Sequence, residues 1–188
     1  KKAYAMFDYL AGHYPDSEFA DFGYIGLGEI AYANKDYKTA LRNFKTAKDE
    51  VMPGQKLKEA YLGEAKSELA LERLDEAEKL FKLIAGNKMW KGEATAQSYV
   101  ALGDIEMKRR KYAEAIAYYQ RVYIAYQKYP NYVAEAYLNS AEAFLQLGKK
   151  QEAINTYNEM LRNEKLRDIQ SPSLGEAQKK LDSLKNGS

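Results

Sequence analysis

The chain has 188 residues, and its 29 basic and 27 acidic side chains leave a formal net charge of +2. This near balance disfavours nucleic acid or an anionic membrane as a partner. There is no Cys, which excludes disulfides, thiol nucleophiles and Cys-based metal sites, and no apolar run is long enough to span a bilayer.

An internal repeat runs through the chain from its first residues. Alanines recur every 37 or 38 residues, at Ala3, Ala40, Ala77, Ala115 and Ala153. An aromatic residue follows four positions after each, at Phe7, Phe44, Phe81, Tyr119 and Tyr157. Three positions after each of these aromatic residues there is an apolar residue. Spacings of four and then three place these residues on one face of an α-helix, called helix B below.

A second helix, called helix A, is predicted ahead of each helix B after the first. It is marked by Tyr24, Tyr61, Tyr99 and Tyr137, and each Tyr is followed four residues later by Gly or Ala. A small residue lets a neighbouring helix approach closely. A short polar turn joins A to B, in which Asp36 is a good N-cap and Gly148 suits a helix C-terminus.

The longer breaks between these units contain Pro or other loop formers, which end one helix and permit the next. They fall at 14–17, 52–54, 86–87, 129–131 and 171–173. We therefore predict one all-α domain, 1–188, of about ten helices. Its parts are a half repeat 1–16, repeats at about 17–53, 54–91, 92–130 and 131–171, and a C-terminal helix 172–185. Because the series starts in mid-repeat, we expect an upstream segment that has been removed or an unmatched helix in that place.

This unit resembles the tetratricopeptide repeat. The best match runs from Tyr24 through Leu27-Gly28 to Tyr37, Ala40 and Phe44, and the unit that begins at Tyr99 matches nearly as well. The other two units depart from the pattern, with Glu64 and Ser140 in place of Leu and Lys150 in place of the turn aromatic. The resemblance covers essentially the whole chain and implies a right-handed α-solenoid.

The length of the units points to a sub-family. Units of 37 and 38 residues exceed the usual length of about 34, and residues 14–17 read Tyr-Pro-Asp-Ser. In these two respects the chain is similar to bacterial envelope proteins, namely the outer-membrane assembly lipoproteins and the periplasmic Tol-Pal coordinators. That resemblance implies the periplasm or cell envelope, with the cytoplasm as the alternative.

The sequence contains no conventional catalytic motif. His13 is the only His, so no His pair can hold a metal and no Ser-His-Asp relay has supporting candidates. A surface or loop-packing role is favoured for His13. The carboxylates are spread over helix surfaces, which is typical of a solvated face. We therefore predict that the chain is not an enzyme and has no catalytic residues, no metal site and no cofactor.

The free face of helix A is the candidate binding site. The resemblance implies that the A helices line the concave side, where the residue after each recurring Tyr and the one seven further on share a stripe. All eight such residues are apolar or aromatic. They are Ile25, Tyr32, Leu62, Leu69, Val100, Met107, Leu138 and Leu145, and interleaved with them are Glu29, Lys66, Asp104 and Glu142. The pattern predicts an apolar groove with a mixed rim, suited to a partner helix or an extended peptide.

Alternatives remain open for the stripe and for Trp90. In one alternative, successive A helices pack against one another along the stripe, which is then core. A neighbouring chain or the missing segment could also fill it. Trp90, the only Trp, either seals the joint between two units or is an exposed anchor for a partner.

The sequence therefore predicts a protein-binding scaffold whose partner is another protein or a peptide. The alternatives are a self-associating oligomerisation module and an interaction domain cut from a larger multidomain protein. Nucleic acid is disfavoured because the groove is apolar and not basic. Direct membrane insertion is not expected.

Overall fold

A computed structural model of the chain describes residues 2–14, 17, 19–49 and 56–186. These residues form eleven α-helices and one 3-10 turn, and no strand occurs among them. The predicted all-α helical-repeat class is confirmed. The Pro15 and Pro53 breaks lie outside the described residues. The chain divides into two compact units, unit 1 (Lys1–Trp90) and unit 2 (Lys91–Ser188).

Unit 1 contains five helices that pack on one another in chain order. They are α1 (Lys2–His13), α2 (Ala20–Ala33), α3 (Tyr37–Asp49), α4 (Leu57–Ala70) and α5 (Leu74–Gly86), followed by a 3-10 turn (Lys88–Trp90). The two A helices, α2 and α4, also touch each other. Helix α3 lies against both, so its apolar face is buried from two sides.

Unit 2 repeats this arrangement with six helices. They are α6 (Glu93–Lys108), α7 (Tyr112–Ala125), α8 (Pro130–Gln146), α9 (Lys150–Arg162), α10 (Glu164–Asp168) and α11 (Pro172–Asn186). The A helices α6 and α8 touch, and α11 packs on α9 and α8. The short α10 accounts for the eleventh helix, which the repeat pattern does not predict.

Each turn from helix A to helix B has the same backbone conformation. Lys35, Glu72, Arg110 and Gly148 all adopt a positive φ, between 59° and 71°. In the first turn the Lys35 amide donates to the Tyr32 carbonyl and the Asp36 amide to the Ala31 carbonyl, both at 2.9 Å. This hydrogen-bond pair is that of a Schellman C-cap. The Thr39 amide donates to Asp36 Oδ1 at 3.1 Å, which confirms Asp36 as an N-cap.

The small residues of helix A receive the aromatic rings of helix B. A Cβ placed on Gly28 would lie 2.9 Å from the Phe44 ring, and one on Gly103 would collide with the Tyr119 ring. The recurring alanines from Ala40 onward are fully buried. Ala3, by contrast, is exposed, since α1 has its main contact with α2 alone.

Candidate functional site

The predicted stripe in unit 1 is only partly accessible. Ile25 is 6% exposed and belongs to the hydrophobic core of the unit. Tyr32, Leu62 and Leu69 are half-buried, and Glu29 is exposed. Ile25 therefore serves as core, while the other apolar members keep part of their surface available.

A pocket opens on this face between α2 and α4. Its volume is about 250 Å³. It is lined by Glu29, Tyr32, Ala33, Phe44, Gly63 and Lys66. Three of these residues, Glu29, Tyr32 and Lys66, belong to the groove predicted from the sequence.

Neighbouring side chains hold Tyr32 at the wall of the pocket. The Tyr37 ring, at the start of α3, lies 5.2 Å from the Tyr32 ring between centroids. Lys66 Nζ lies 5.1 Å from the centroid of the same ring, a cation–π contact. Burial, and next the proximity of Tyr37, raise the pKa of Tyr32 above its usual range. Tyr32 is therefore a neutral, pre-positioned phenol at neutral pH.

Two residues leave the pocket open. Gly63 contributes no side chain, and a Cβ placed there would collide with the Phe44 ring that forms the floor. Phe44 has no hydroxyl group, so it brings no polar atom to the base of the pocket. Gly63 on α4 thus lets the Phe44 ring of α3 lie against the helix at the base of the pocket.

In unit 2, the corresponding stripe has the same pattern of burial as in unit 1. Val100 is 4% exposed and lies in the core. Met107, Leu138 and Leu145 are half-buried and pack against that core. Like Ile25, Val100 is therefore unavailable to a partner in this structure.

The rim residue Asp104 is bonded within unit 2. Its Oδ1 accepts the Tyr119 hydroxyl at 2.7 Å and the Asn139 side-chain amide at 3.0 Å. Burial raises the pKa of Asp104, and the two hydrogen bonds oppose that rise. Burial, then the Asp104 charge, raises the pKa of Tyr119 well above its usual range. Asp104 thus links α6, α7 and α8.

The second rim acid of unit 2 is also engaged. Glu142 Oε2 accepts a hydrogen bond from Lys180 Nζ of α11 at 3.0 Å. The partners Asn139 and Lys180 were not among the predicted site residues. Among the partners of the rim acids, only Tyr119 could have been suspected from the sequence, since a Tyr in place of Phe at a buried helix-B position needs a hydrogen-bond acceptor.

Buried ion pairs explain the departure of Glu64 from the repeat pattern. Glu64 and Glu68 are 5% and 2% exposed. Lys48 Nζ lies 2.7 Å from Glu64 Oε2, and Lys45 Nζ lies 3.3 Å from Glu68 Oε1. These lysines come from α3, so charged pairs join α3 to α4 where the pattern expects apolar contact. Losing one member of such a pair is costly, because the other charge stays buried.

The remaining candidates have structural surroundings. His13 is exposed and stacks on the Tyr9 ring at 4.1 Å. Trp90 is half-buried, with its ring 5.3 Å from that of Tyr61. Among the described residues, no group of His, Asp and Glu is arranged to hold a metal ion. Within the same residues, none of the helices combines the length and the apolar character needed to cross a membrane.

Comparison with known proteins supports the repeat assignment. A family profile described as tetratricopeptide repeat matches residues 94–163. The crystal structure of BtubC (BKLC) from P. vanneervenii is similar, with a TM-score of 0.73 and 18% sequence identity over 97% of this chain and 79% of that chain. No curated protein matches significantly. The fold class is thus an all-α solenoid, and residues 94–163 match the tetratricopeptide repeat, whose copies generally mediate protein–protein interactions.

Proposed function

We propose that this chain is a protein-interaction scaffold whose helix-A face in unit 1 receives a helix or an extended segment of a partner protein. The observation that carries the proposal is the 250 Å³ pocket between α2 and α4, bordered by the half-buried Tyr32. Leu62 and Leu69 extend this face along α4. An apolar face with polar rim residues is what a docked amphipathic segment requires.

The accessible apolar side chains set the scale of the interaction. Full burial of one large apolar side chain contributes about 1.5–3 kcal/mol. Tyr32, Leu62 and Leu69 are already half-buried, so each gains less than that. Ordering the partner costs part of the gain. We therefore expect these three contacts alone to support only weak binding, with a dissociation constant of about 10⁻³ M.

A second candidate function is self-association through α1. Met6 and Tyr9, three residues apart and so on one face of this helix, are 72% and 54% exposed. A cluster of large exposed apolar side chains commonly marks an interaction surface. A second copy of the chain is one protein that would cover it. Light scattering over a range of concentrations tests this, and a monomer at every concentration would rule it out.

Site-specific photo-crosslinking in cells tests the scaffold proposal. A benzophenone amino acid is placed at Leu69, and the matched control carries it at Lys79 on α5, whose side chain is 77% exposed. We expect a distinct protein adduct at Leu69 that is absent at Lys79, identified by mass spectrometry. An adduct only with the chain itself would favour self-association. A folded protein without any adduct at Leu69 would contradict the scaffold proposal.

A further inference from the structure

Three positions that line the pocket of unit 1 have counterparts in unit 2 that bond to one another. Counted along the repeats, Glu29 corresponds to Asp104, Phe44 to Tyr119, and Gly63 to Asn139. In unit 2 the Tyr119 hydroxyl and the Asn139 amide occupy the space beside the carboxylate and donate to it at 2.7 and 3.0 Å. Unit 2 therefore supplies from its own chain both the volume and the hydrogen bonds that unit 1 lacks.

The open pocket has room for a ring. A cavity of about 150 Å³ is enough to hold benzene, and this pocket measures about 250 Å³. Its wall and floor are the rings of Tyr32 and Phe44, which favour edge-to-face or offset contact with another ring. Volume and lining together favour an aromatic side chain over a branched aliphatic one.

The charges on the rim favour an occupant with a hydrogen-bond donor. Glu29 is exposed and occupies the place of Asp104, which accepts a phenol hydroxyl in unit 2. Lys66, on the other wall, is held over the Tyr32 ring, so a cationic occupant would be repelled. A neutral donor at the end of a ring suits both walls.

We infer that this pocket receives a tyrosine side chain of the partner segment, with its ring against Tyr32 and Phe44 and its hydroxyl donating to Glu29. The inference rests on the proposed function and names the residue that the groove recognises. The hydroxyl of the partner tyrosine would lie beside Glu29, as the Tyr119 hydroxyl and the Asn139 amide lie beside Asp104 in unit 2. Unit 1 would then provide the recognition, and unit 2 would not.

The test is a titration of the full chain with small probes, followed by backbone amide NMR. The probes are N-acetyl-tyrosinamide, N-acetyl-phenylalaninamide and N-acetyl-alaninamide. We expect the tyrosine probe to shift the amides of Tyr32, Gly63 and Lys66 and to bind about fivefold more tightly than the phenylalanine probe, because a hydrogen bond to a charged acceptor is added. The alanine probe should cause no shift.

Three variants sharpen this test. Ala33→Trp blocks the mouth of the pocket from an exposed position and should abolish the shifts, whereas Ala113→Trp, at an exposed position on α7, should preserve them. Glu29→Ala should reduce the affinity for the tyrosine probe to that for the phenylalanine probe. Equal binding of the two probes to the wild-type chain, or shifts that survive Ala33→Trp, would overturn the inference.

The outcome is separable from that of the proposed function. If the partner adduct at Leu69 survives Ala33→Trp while the probes fail to bind, the scaffold proposal stands and the tyrosine pocket is wrong. If the probes bind but Leu69 yields no adduct, the pocket exists and the scaffold proposal fails.

Discussion

The helix-A faces of units 1 and 2 place their apolar stripe and rim residues at the same repeat positions. The two units differ in whether the rim carboxylate is hydrogen-bonded within the fold. In unit 1 the helix-B rings are Phe7, Phe44 and Phe81, and the rim residue Glu29 is exposed. In unit 2 the rings are Tyr119 and Tyr157, and Asp104 accepts the hydroxyl of the first. The difference teaches that the hydroxyl present in Tyr119 and absent from Phe44 accompanies a rim carboxylate that is bonded within the fold at Asp104 and is exposed at Glu29.

The largest expected effect concerns the contact between helix A and helix B. Gly103→Leu should reduce the free energy of unfolding by at least about 3 kcal/mol, because the Tyr119 ring leaves no room for a Cβ. Gly28→Leu in unit 1 should cost less, since a Cβ there lies 2.9 Å from the Phe44 ring. Urea denaturation measures both. Gly175→Leu, where a Cβ would meet open space, is the control, and an unchanged melting temperature for Gly103→Leu would refute the assigned contact.

The rim acids provide the most direct test of the comparison. Asp104→Ala should cost about 2 kcal/mol, because it removes the acceptor of the buried Tyr119 hydroxyl and of the Asn139 amide. Glu29→Ala, the matched change in unit 1, should stay within about 0.5 kcal/mol. Both are measured by urea denaturation. Equal costs for the two variants would break the distinction between the units.

A charge on the groove should affect binding more than folding. Leu69→Asp should weaken binding of the cross-linked partner at least about tenfold, since a buried unpaired carboxylate is costly, and it should leave the melting temperature nearly unchanged. Leu147→Asp, at the residue that directly follows α8 and is 40% exposed, is the control and should bind normally. Calorimetric titration with the identified partner measures both. Unfolding of Leu69→Asp would instead identify the stripe as core.

Substitutions in the turns between helix A and helix B should change the stability of the fold by a smaller amount. Gly148→Ala should cost about 1 kcal/mol, because a Cβ is disfavoured at a positive φ of 71°. Lys35 has a φ of 62° in the corresponding turn of unit 1. Lys35→Gly should change stability by less than about 1 kcal/mol, because the relief of backbone strain is offset by a more flexible unfolded chain. Thermal denaturation of the two variants checks the pair. A stabilising Gly148→Ala would contradict the shared turn geometry.

The smallest effect is a pH dependence that belongs to unit 2. Because the pKa of Asp104 is raised in the folded protein, the fold binds this proton more tightly than the unfolded chain does. Falling pH should therefore stabilise the fold through this group, between the raised pKa and the ordinary value of 3.8. Comparing wild type with Asp104→Asn in urea at neutral and mildly acidic pH isolates the contribution. A constant difference between the two proteins would exclude it.

Much of the fold was predictable from local spacing. The recurring Ala and aromatic residues predict the helices, and Asp36 predicts the start of α3, because caps and helical faces depend on residues a few positions apart. The short α10 was not predictable, since it follows α9 inside the last predicted repeat, where no recurring residue marks a helix. The resemblance to bacterial envelope proteins, the periplasmic location and the single solenoid over 1–188 stay predictions.

The candidate site was predictable only as a stripe of positions. Helical spacing placed Tyr32 and Lys66 on one face but could not show that Ile25 and Val100 would be covered, because burial depends on how neighbouring helices pack. The role of Asp104 depends on Asn139, which lies 35 residues away along the chain. Likewise, the pocket depends on Gly63 meeting Phe44, a pairing that only the packed helices reveal.

The contact between Trp90 and Tyr61 gives unit 1 a fluorescence label of its own. Trp90 is the only Trp in the chain, and its ring lies 5.3 Å from Tyr61. Its emission therefore reports the unfolding of unit 1, whereas circular dichroism reports helices of both units. Coincident transitions in the two signals would mean a single cooperative event. Separate transitions would mean that each half of the chain can be opened, and therefore regulated, independently.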